Sequence, residues 1–156
     1  MKQATVRRQG TTFRHEIEIR GHRLLIDEPE DKGGEDEGPT PQELLAASLA
    51  SCVAVTVEMY AGRKGWDVGA VEVECGYEPA DPGAPTTFRI ALRVPGHCTP
   101  EQLEKLRIIA AKCPVRRTLE GEVRVEERIE VAAAADPDAR AADPDARVAD
   151  PDAPAA

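Results

Sequence analysis

The sequence predicts an α+β fold in which antiparallel strands surround two apolar helices. Three observations predict it. Short stretches of alternating polar and apolar side chains open the chain, two Thr-Pro helix starts each precede an apolar run, and alternating stretches return between and after the helices. The expected order is β-β-β-α-β-β-α-β, with one domain over residues 1–131 and a separate tail over 132–156.

Residues 3–9, 12–20 and 22–27 alternate (Thr12, Phe13, Arg14, His15, Glu16, Ile17, Glu18, Ile19) and are punctuated by Gly10 and Gly21, so they read as a strand meander with one wet face. From Glu28 to Gly38 acidic residues and Gly33, Gly34 and Gly38 break all periodicity, which predicts a solvated loop. Thr40-Pro41-Gln42-Glu43 then opens a helix by agreeing signals: threonine at the N-cap, proline at N1 and glutamate at N3 to close a capping box. Its body, Leu44 to Val55, is apolar or small on every side, so a helix reaching about Arg63 is expected to be buried all round.

Two strands are expected at 67–78 and 86–94, joined by a turn rich in proline and glycine. Thr99-Pro100-Glu101-Gln102 repeats the start signal and opens a second helix through Leu103, Leu106 and Ile109 to about Lys112, with Cys113 on the same apolar stripe. Pro114 should end it, a short turn should carry Arg116 and Arg117, and residues 122–131 alternate as a final strand. Beyond Val131, Ala-Asp-Pro-Asp-Ala-Arg occurs at 135–140 and again at 142–147. The seven-residue period suggests a heptad, but proline in each copy and the near absence of large apolar residues argue for a disordered tail.

Composition narrows the function. A chain of 156 residues with 41% apolar and 31% charged residues suits one modest core. The net charge of −9 offers no basic field for phosphates, so nucleic acid is not an expected partner. No wholly apolar run approaches the ~20 residues of a bilayer span, and Met1-Lys2-Gln3 shows no apolar signal core. We therefore expect a cytoplasmic protein without a membrane partner. The cysteines are Cys52, Cys75, Cys98 and Cys113, with no CxxC pairing, so neither a bound metal nor another cofactor is expected.

Two cysteines fall on the two apolar helices. Cys52 lies twelve residues past the Thr40 N-cap, beyond useful reach of the helix dipole, and taken alone reads as core packing. Cys113 sits where a helix ends, next to Pro114, Arg116 and Arg117, where a guanidinium could favour a thiolate. Two apolar helices in one small domain must share a core, which brings their cysteines into the same region. His97 beside Cys98 looks like a nucleophile–base pair, but neighbours at an extended strand end point to opposite sides. Cys75 and Cys98 read as passengers, and His15 and His22 as surface residues.

The run Gly34-Glu-Asp-Glu-Gly-Pro-Thr-Pro-Gln-Glu-Leu-Leu-Ala-Ala-Ser-Leu-Ala-Ser-Cys52 resembles the signature of the OsmC/Ohr superfamily, and Lys112-Cys113-Pro-Val-Arg-Arg-Thr-Leu119 is similar to that family's second cysteine motif. The resemblance covers about residues 3 to 131. It implies an OsmC-like fold as an intertwined homodimer, with antiparallel sheets, two central helices and sites at the subunit interface. It also implies thiol-dependent reduction of organic hydroperoxides. Cys52 would form a sulfenate, Cys113 would close a disulfide, and an external dithiol of dihydrolipoyl or thioredoxin type would reduce it. Such thiols are helped by a glutamate and an arginine. The glutamate here is Glu43, one place along from the Pro-Glu-Gln-Leu order of the best-characterised branch, roughly opposite Cys52 on the helix and already explained by the capping box. The arginine is expected on the N-terminal strands, Arg14 before Arg20 and Arg23, with Arg7 and Arg8 behind them. Two other readings remain open: a non-catalytic OsmC-like binder of small molecules, and a stress protein acting through its acidic tail.

Overall fold

The structure is a computed structural model and describes residues 3–79, 81 and 84–131. The proposed tail, 132–156, lies outside the described residues. The chain divides into two units, residues 1–123 and 124–156.

In the first unit, β1 (Thr5–Arg8), β2 (His15–Ile19) and β3 (His22–Ile26) form an antiparallel meander in the order β1-β2-β3. Its register places Val6 opposite Ile17 and Ile17 opposite Leu24. The β2–β3 turn needs left-handed backbone at Arg20 and Gly21, with φ of 52° and 82°. The following segment is more than a solvated loop. It includes a short 3-10 turn at Glu30–Lys32 and wraps around Asp27, which is 1% exposed. The Asp27 carboxylate accepts the backbone N–H groups of Glu28, Glu35 and Glu37 at 2.9, 2.9 and 3.3 Å. Glycine is required at position 34, where a Cβ would stand 1.7 Å from the Glu28 carbonyl oxygen.

Helix α1 (Pro41–Lys64) begins with the capping box expected of Thr40 and Glu43 and stops at Gly65, whose φ of 67° provides the left-handed C-cap. Its buried stripe, Ala46, Leu49, Val53, Val57 and Ala61, follows helical spacing. Strands β4 (Glu72–Glu78) and β5 (Thr87–Arg93) make a separate antiparallel pair, with Cys75 opposite Ile90 and Tyr77 opposite Phe88. Alternation along β4 turns Val73, Cys75 and Tyr77 inward while its glutamates stay exposed. Helix α2 (Pro100–Ala110) repeats the capping box with Thr99 and Gln102. Helix α1 packs mainly on β4 and α2.

Three expectations are corrected. Helix α1 is not buried all round within one chain, because Leu45, Val55 and Met59 remain 39%, 52% and 54% exposed. One small domain has too few elements to cover every side of a 24-residue helix. The segment after Pro114 is a helix, α3 (Pro114–Leu119), rather than a turn. Proline forbids continuation of α2 but is well suited to the first position of a new helix, where no N–H partner is needed. Finally, residues 122–131 form no strand. Their alternation is genuine, but a strand exists only with a hydrogen-bonding neighbour, and among the described residues no ladder includes them. Val123, and in the second unit Val125, Ile129 and Val131, are exposed.

By length and composition α1 could cross a bilayer. In this fold its buried stripe is part of the core, with Val57 and Ala61 against Leu106 and Val68.

Candidate active site

Half-way along α1 the core changes character. Leu49 and Val53 pack with Cys113 in one cluster, and Cys52, Cys75, Val73, Phe88, Ala110 and Val115 close around it. Three of the four cysteines therefore share one apolar region. All four are free thiols.

Cys113 is fully buried and occupies the N-cap of α3, where its sulfur accepts the backbone N–H of Arg116 at 3.3 Å. Cys52, on α1, packs on the same cluster and is the neighbouring thiol. Burial pushes the Cys113 thiol pKa up. The Arg116 N–H works in the opposite direction, and the neighbouring Cys52 adds to the rise. Cys52 is partly exposed, so the pair combines one accessible and one enclosed sulfur. Thr56, one turn on, donates its hydroxyl to the Cys52 carbonyl at 2.7 Å.

Cys75 is the residue that the sequence passed over. It packs on the same cluster, and burial raises its thiol pKa. The inward alternation of Val73, Cys75 and Tyr77 was the available signal, since it places Cys75 on the face of β4 that must meet α1. Cys98 lies against the other core cluster, its thiol donating to the Asp67 carbonyl at 3.8 Å.

The charged candidates stand elsewhere. Arg14 forms an ion pair and hydrogen bond with Glu37, which holds the guanidinium above its usual pKa. Arg7 pairs with Glu18 at 3.1 Å and Arg23 with Glu16 at 3.8 Å, both within the meander. Arg8 donates to the Thr12 carbonyl at 2.9 Å. Arg20 forms the β2–β3 turn. Glu43 accepts the Thr40 N–H at 2.7 Å and its hydroxyl at 3.0 Å, while its own N–H reaches the Thr40 oxygen at 3.2 Å. The Thr40 N–H is the main cause that lowers the Glu43 pKa.

Two cavities flank the thiol cluster. One, of about 940 Å³, lies between the small-residue face of α1 and β4, with Glu43, Ala50 and Cys75 in its wall. The other, of about 730 Å³, runs between Leu45 and Leu49 of α1, Phe88 and Ile90 of β5, and Arg116 and Leu119 of α3. Among the described residues no group of three His, Cys, Asp or Glu side chains could hold a metal ion. Two adjacent thiols in an apolar setting can instead exchange electrons through a sulfur–sulfur bond.

Residues 34–128 match the family model of OsmC-like proteins. Similar solved structures include a Psychrobacter arcticus protein described as an osmotic stress induced and detoxification response protein, with 24% identity and a TM-score of 0.68 over 75% of this chain and 87% of that one. An organic hydroperoxide resistance protein from Legionella pneumophila has 21% identity and a TM-score of 0.57 over 78% and 90% of the two chains. The organic hydroperoxide resistance protein OhrB of Bacillus subtilis has 19% identity and a TM-score of 0.54 over 78% and 91%. At these identities the likeness shows a shared fold. A search among curated proteins finds no match.

Proposed function

Because the chain belongs to the OsmC-like protein family and gathers two thiols in one apolar cluster, we propose that it is a thiol-dependent peroxidase acting on organic hydroperoxides. The observation that carries this reading is the pairing of partly exposed Cys52 with buried Cys113. The Cys52 thiolate attacks one peroxide oxygen and the O–O bond breaks. The released alkoxide takes up a proton as an alcohol, and Cys52 is left as a sulfenic acid. The Cys113 thiol then displaces hydroxide, which leaves as water, and forms the disulfide. A dithiol of dihydrolipoyl or thioredoxin type gives two electrons and two protons to restore both thiols. Hydrocarbon walls favour alkyl over small polar peroxides.

We further propose a cytoplasmic homodimer. The uncovered Leu45, Val55 and Met59 on α1, with Val6, Leu24 and Leu25 on the meander, are the apolar surface a second copy would cover.

Peptide mapping after exposure to cumene hydroperoxide tests the chemistry. The wild type should yield Cys52 linked to Cys113, Cys113→Ser should stop at a trapped sulfenic acid, and Cys52→Ser should not react. Two thiols that remain open to alkylation after peroxide treatment would remove this reading. A second reading, a non-catalytic binder of small molecules, is favoured by one observation: Glu43 and Arg14 are engaged by Thr40 and Glu37 rather than by the thiols. A ligand retained in native mass spectrometry, together with inert thiols, would establish it.

A further inference from the structure

The two-thiol cycle leaves Cys75 without a task, although it packs on the same core cluster as Cys52 and Cys113. The three thiols differ in access. Cys113 is fully enclosed, Cys52 is partly exposed on α1, and Cys75 is partly exposed on the inward face of β4. Among the described residues, Cys75 is the one cysteine in the wall of the cavity of about 940 Å³ between α1 and β4.

That cavity and Cys52 lie on different sides of α1. Ala46, Ala50 and Ala54 line the cavity at intervals of four, and at ~100° per residue Cys52 stands roughly 200° around the helix from Ala50. Between these two directions runs the buried stripe of Leu49 and Val53, the residues that pack with Cys113. The enclosed sulfur therefore belongs to the layer between a Cys52 side and a Cys75 side. Burial pushes the Cys75 thiol pKa up, so the resting thiol stays protonated at neutral pH and is a poor competitor for peroxide. Its S–H donates to the Gly76 carbonyl at 3.9 Å, a weak bond that a small rotation gives up.

We propose that Cys75 is a third redox thiol, which takes the disulfide over from Cys52 and presents it to the reducing dithiol in the cavity between α1 and β4. The assignment rests on the peroxidase reading above, which supplies the Cys52–Cys113 disulfide. The Cys75 thiol gives up its proton and its sulfur attacks Cys113 in that disulfide. The Cys52–Cys113 bond breaks, Cys52 leaves as a thiolate and takes up the proton, and a Cys75–Cys113 bond forms with no net oxidation or reduction. This product requires the Cα atoms of Cys75 and Cys113 to come within about 7 Å. An external dithiol then attacks Cys75 from the cavity, Cys113 leaves as a thiol, and the second sulfur of the dithiol displaces Cys75. The dithiol has given two electrons and two protons, and Cys52 is free for the next peroxide. Substrate and reductant thus use separate sides of α1.

Timed disulfide mapping of the full-length protein tests the relay. Lys64, Arg93 and Lys112 place the four cysteines on different tryptic peptides, so each linkage has its own mass. After equimolar cumene hydroperoxide and blocking of open thiols with N-ethylmaleimide, Cys52 linked to Cys113 should appear first and Cys75 linked to Cys113 should follow. Cys98, on the other core cluster, should stay open. Cys75→Ser should halt at the Cys52–Cys113 linkage and lower kcat/KM for dithiothreitol by about fivefold. If that variant does not fold, the wild-type map still decides. A wild type in which Cys75 stays open to alkylation while Cys52 and Cys113 are joined would overturn the relay and leave the peroxidase intact. So would linkage of Cys98 to the same extent as Cys75, the mark of random exchange. The same mapping with diamide, which oxidises thiol pairs without peroxide, separates the two ideas. Cys75–Cys113 linkage after diamide but none after hydroperoxide would remove the peroxidase reading and keep the thiol exchange, and no linkage with either oxidant would remove both.

Discussion

The two ends of α1 are buried by different materials. Toward its C-terminus Val57 and Ala61 meet Leu106 and Val68, with Tyr60 and Trp66 edge-to-face at 5.6 Å between ring centres, so the packing is mainly hydrocarbon and aromatic, with Cys98 at its margin. Toward its middle Leu49 and Val53 meet Cys113, with Cys52 and Cys75 around them, so sulfur takes positions that carbon fills at the other end. A cysteine packs like a small apolar side chain, and the exchange keeps the helix buried while adding groups that can be oxidised. One end of the helix holds the domain together and the other can carry chemistry.

The largest expected effect tests that division. Leu106 is fully buried in the hydrocarbon end, and Leu106→Ala should lower unfolding free energy by about 2–5 kcal/mol in urea titration. Under native conditions the thiols of that variant should still oxidise as in the wild type. A variant that folds but no longer couples Cys52 to Cys113 would show that the two ends are one unit.

A second contrast sharpens the first, because Asp27 and Cys113 are both fully enclosed and respond oppositely. Burial alone would raise both pKa values. At Asp27 the N–H groups of Glu35, Glu28 and Glu37, with Arg14 nearby, outweigh burial and bring the carboxyl below its ordinary range. At Cys113 burial and Cys52 win over the N–H of Arg116, and the thiol stays high. Donors, rather than depth, decide which group is charged. Asp27→Asn removes the charge and turns one acceptor into a donor facing N–H groups, so the melting temperature should fall by several degrees. The wild-type carboxylate has a lowered folded pKa, so its contribution is complete above the ordinary carboxylate pKa and is lost as pH falls through the folded value. Below that range the variant and the wild type should converge.

The helix starts were readable in the sequence because capping is local: Thr40 with Glu43 and Thr99 with Gln102 declare themselves within four residues. Strand positions were readable from alternation. What escaped depends on partners distant in sequence. Asp27 gains its role from N–H groups eight and ten residues away, which no periodicity announces. Pro114 carries two meanings, a stop for one helix and a start for the next, and only the position of Cys113 as N-cap settles which applies. The two motif cysteines were expected in one core, and the structure places both at one apolar cluster. The segment 122–131 shows the limit of pattern reading, since alternation declares a strand's faces but cannot supply its neighbour.

The thiol end gives a smaller, sharper test. Cys113 both fills space and caps α3, two roles that substitution can separate. Serine keeps an acceptor for the Arg116 N–H, whereas alanine loses it, so Cys113→Ala should be less stable than Cys113→Ser by about 1 kcal/mol. The wild type should also differ from serine in its pH response. Its thiol pKa is raised on folding, so the stability it contributes is complete below the unfolded value of about 8.5 and declines as pH rises through the folded value. Urea midpoints measured from pH 7 to 10 should fall further for the wild type than for Cys113→Ser.

The smallest expected effect is at Glu43, and the molecule contains its own control. Helix α2 closes the same capping box with Gln102, whose side chain accepts the Thr99 N–H at 2.8 Å, much as Glu43 accepts that of Thr40. Glutamine at position 43 supplies an amide oxygen in place of the carboxylate oxygen that accepts in the cap, so Glu43→Gln should leave the urea midpoint almost unchanged. The same variant separates cap from catalyst. If the carboxylate belongs only to the helix start, hydroperoxide turnover should also be unchanged. A tenfold or greater fall in kcat/KM would assign Glu43 to the thiol chemistry and tie the first turn of α1 to the sulfur end of the core.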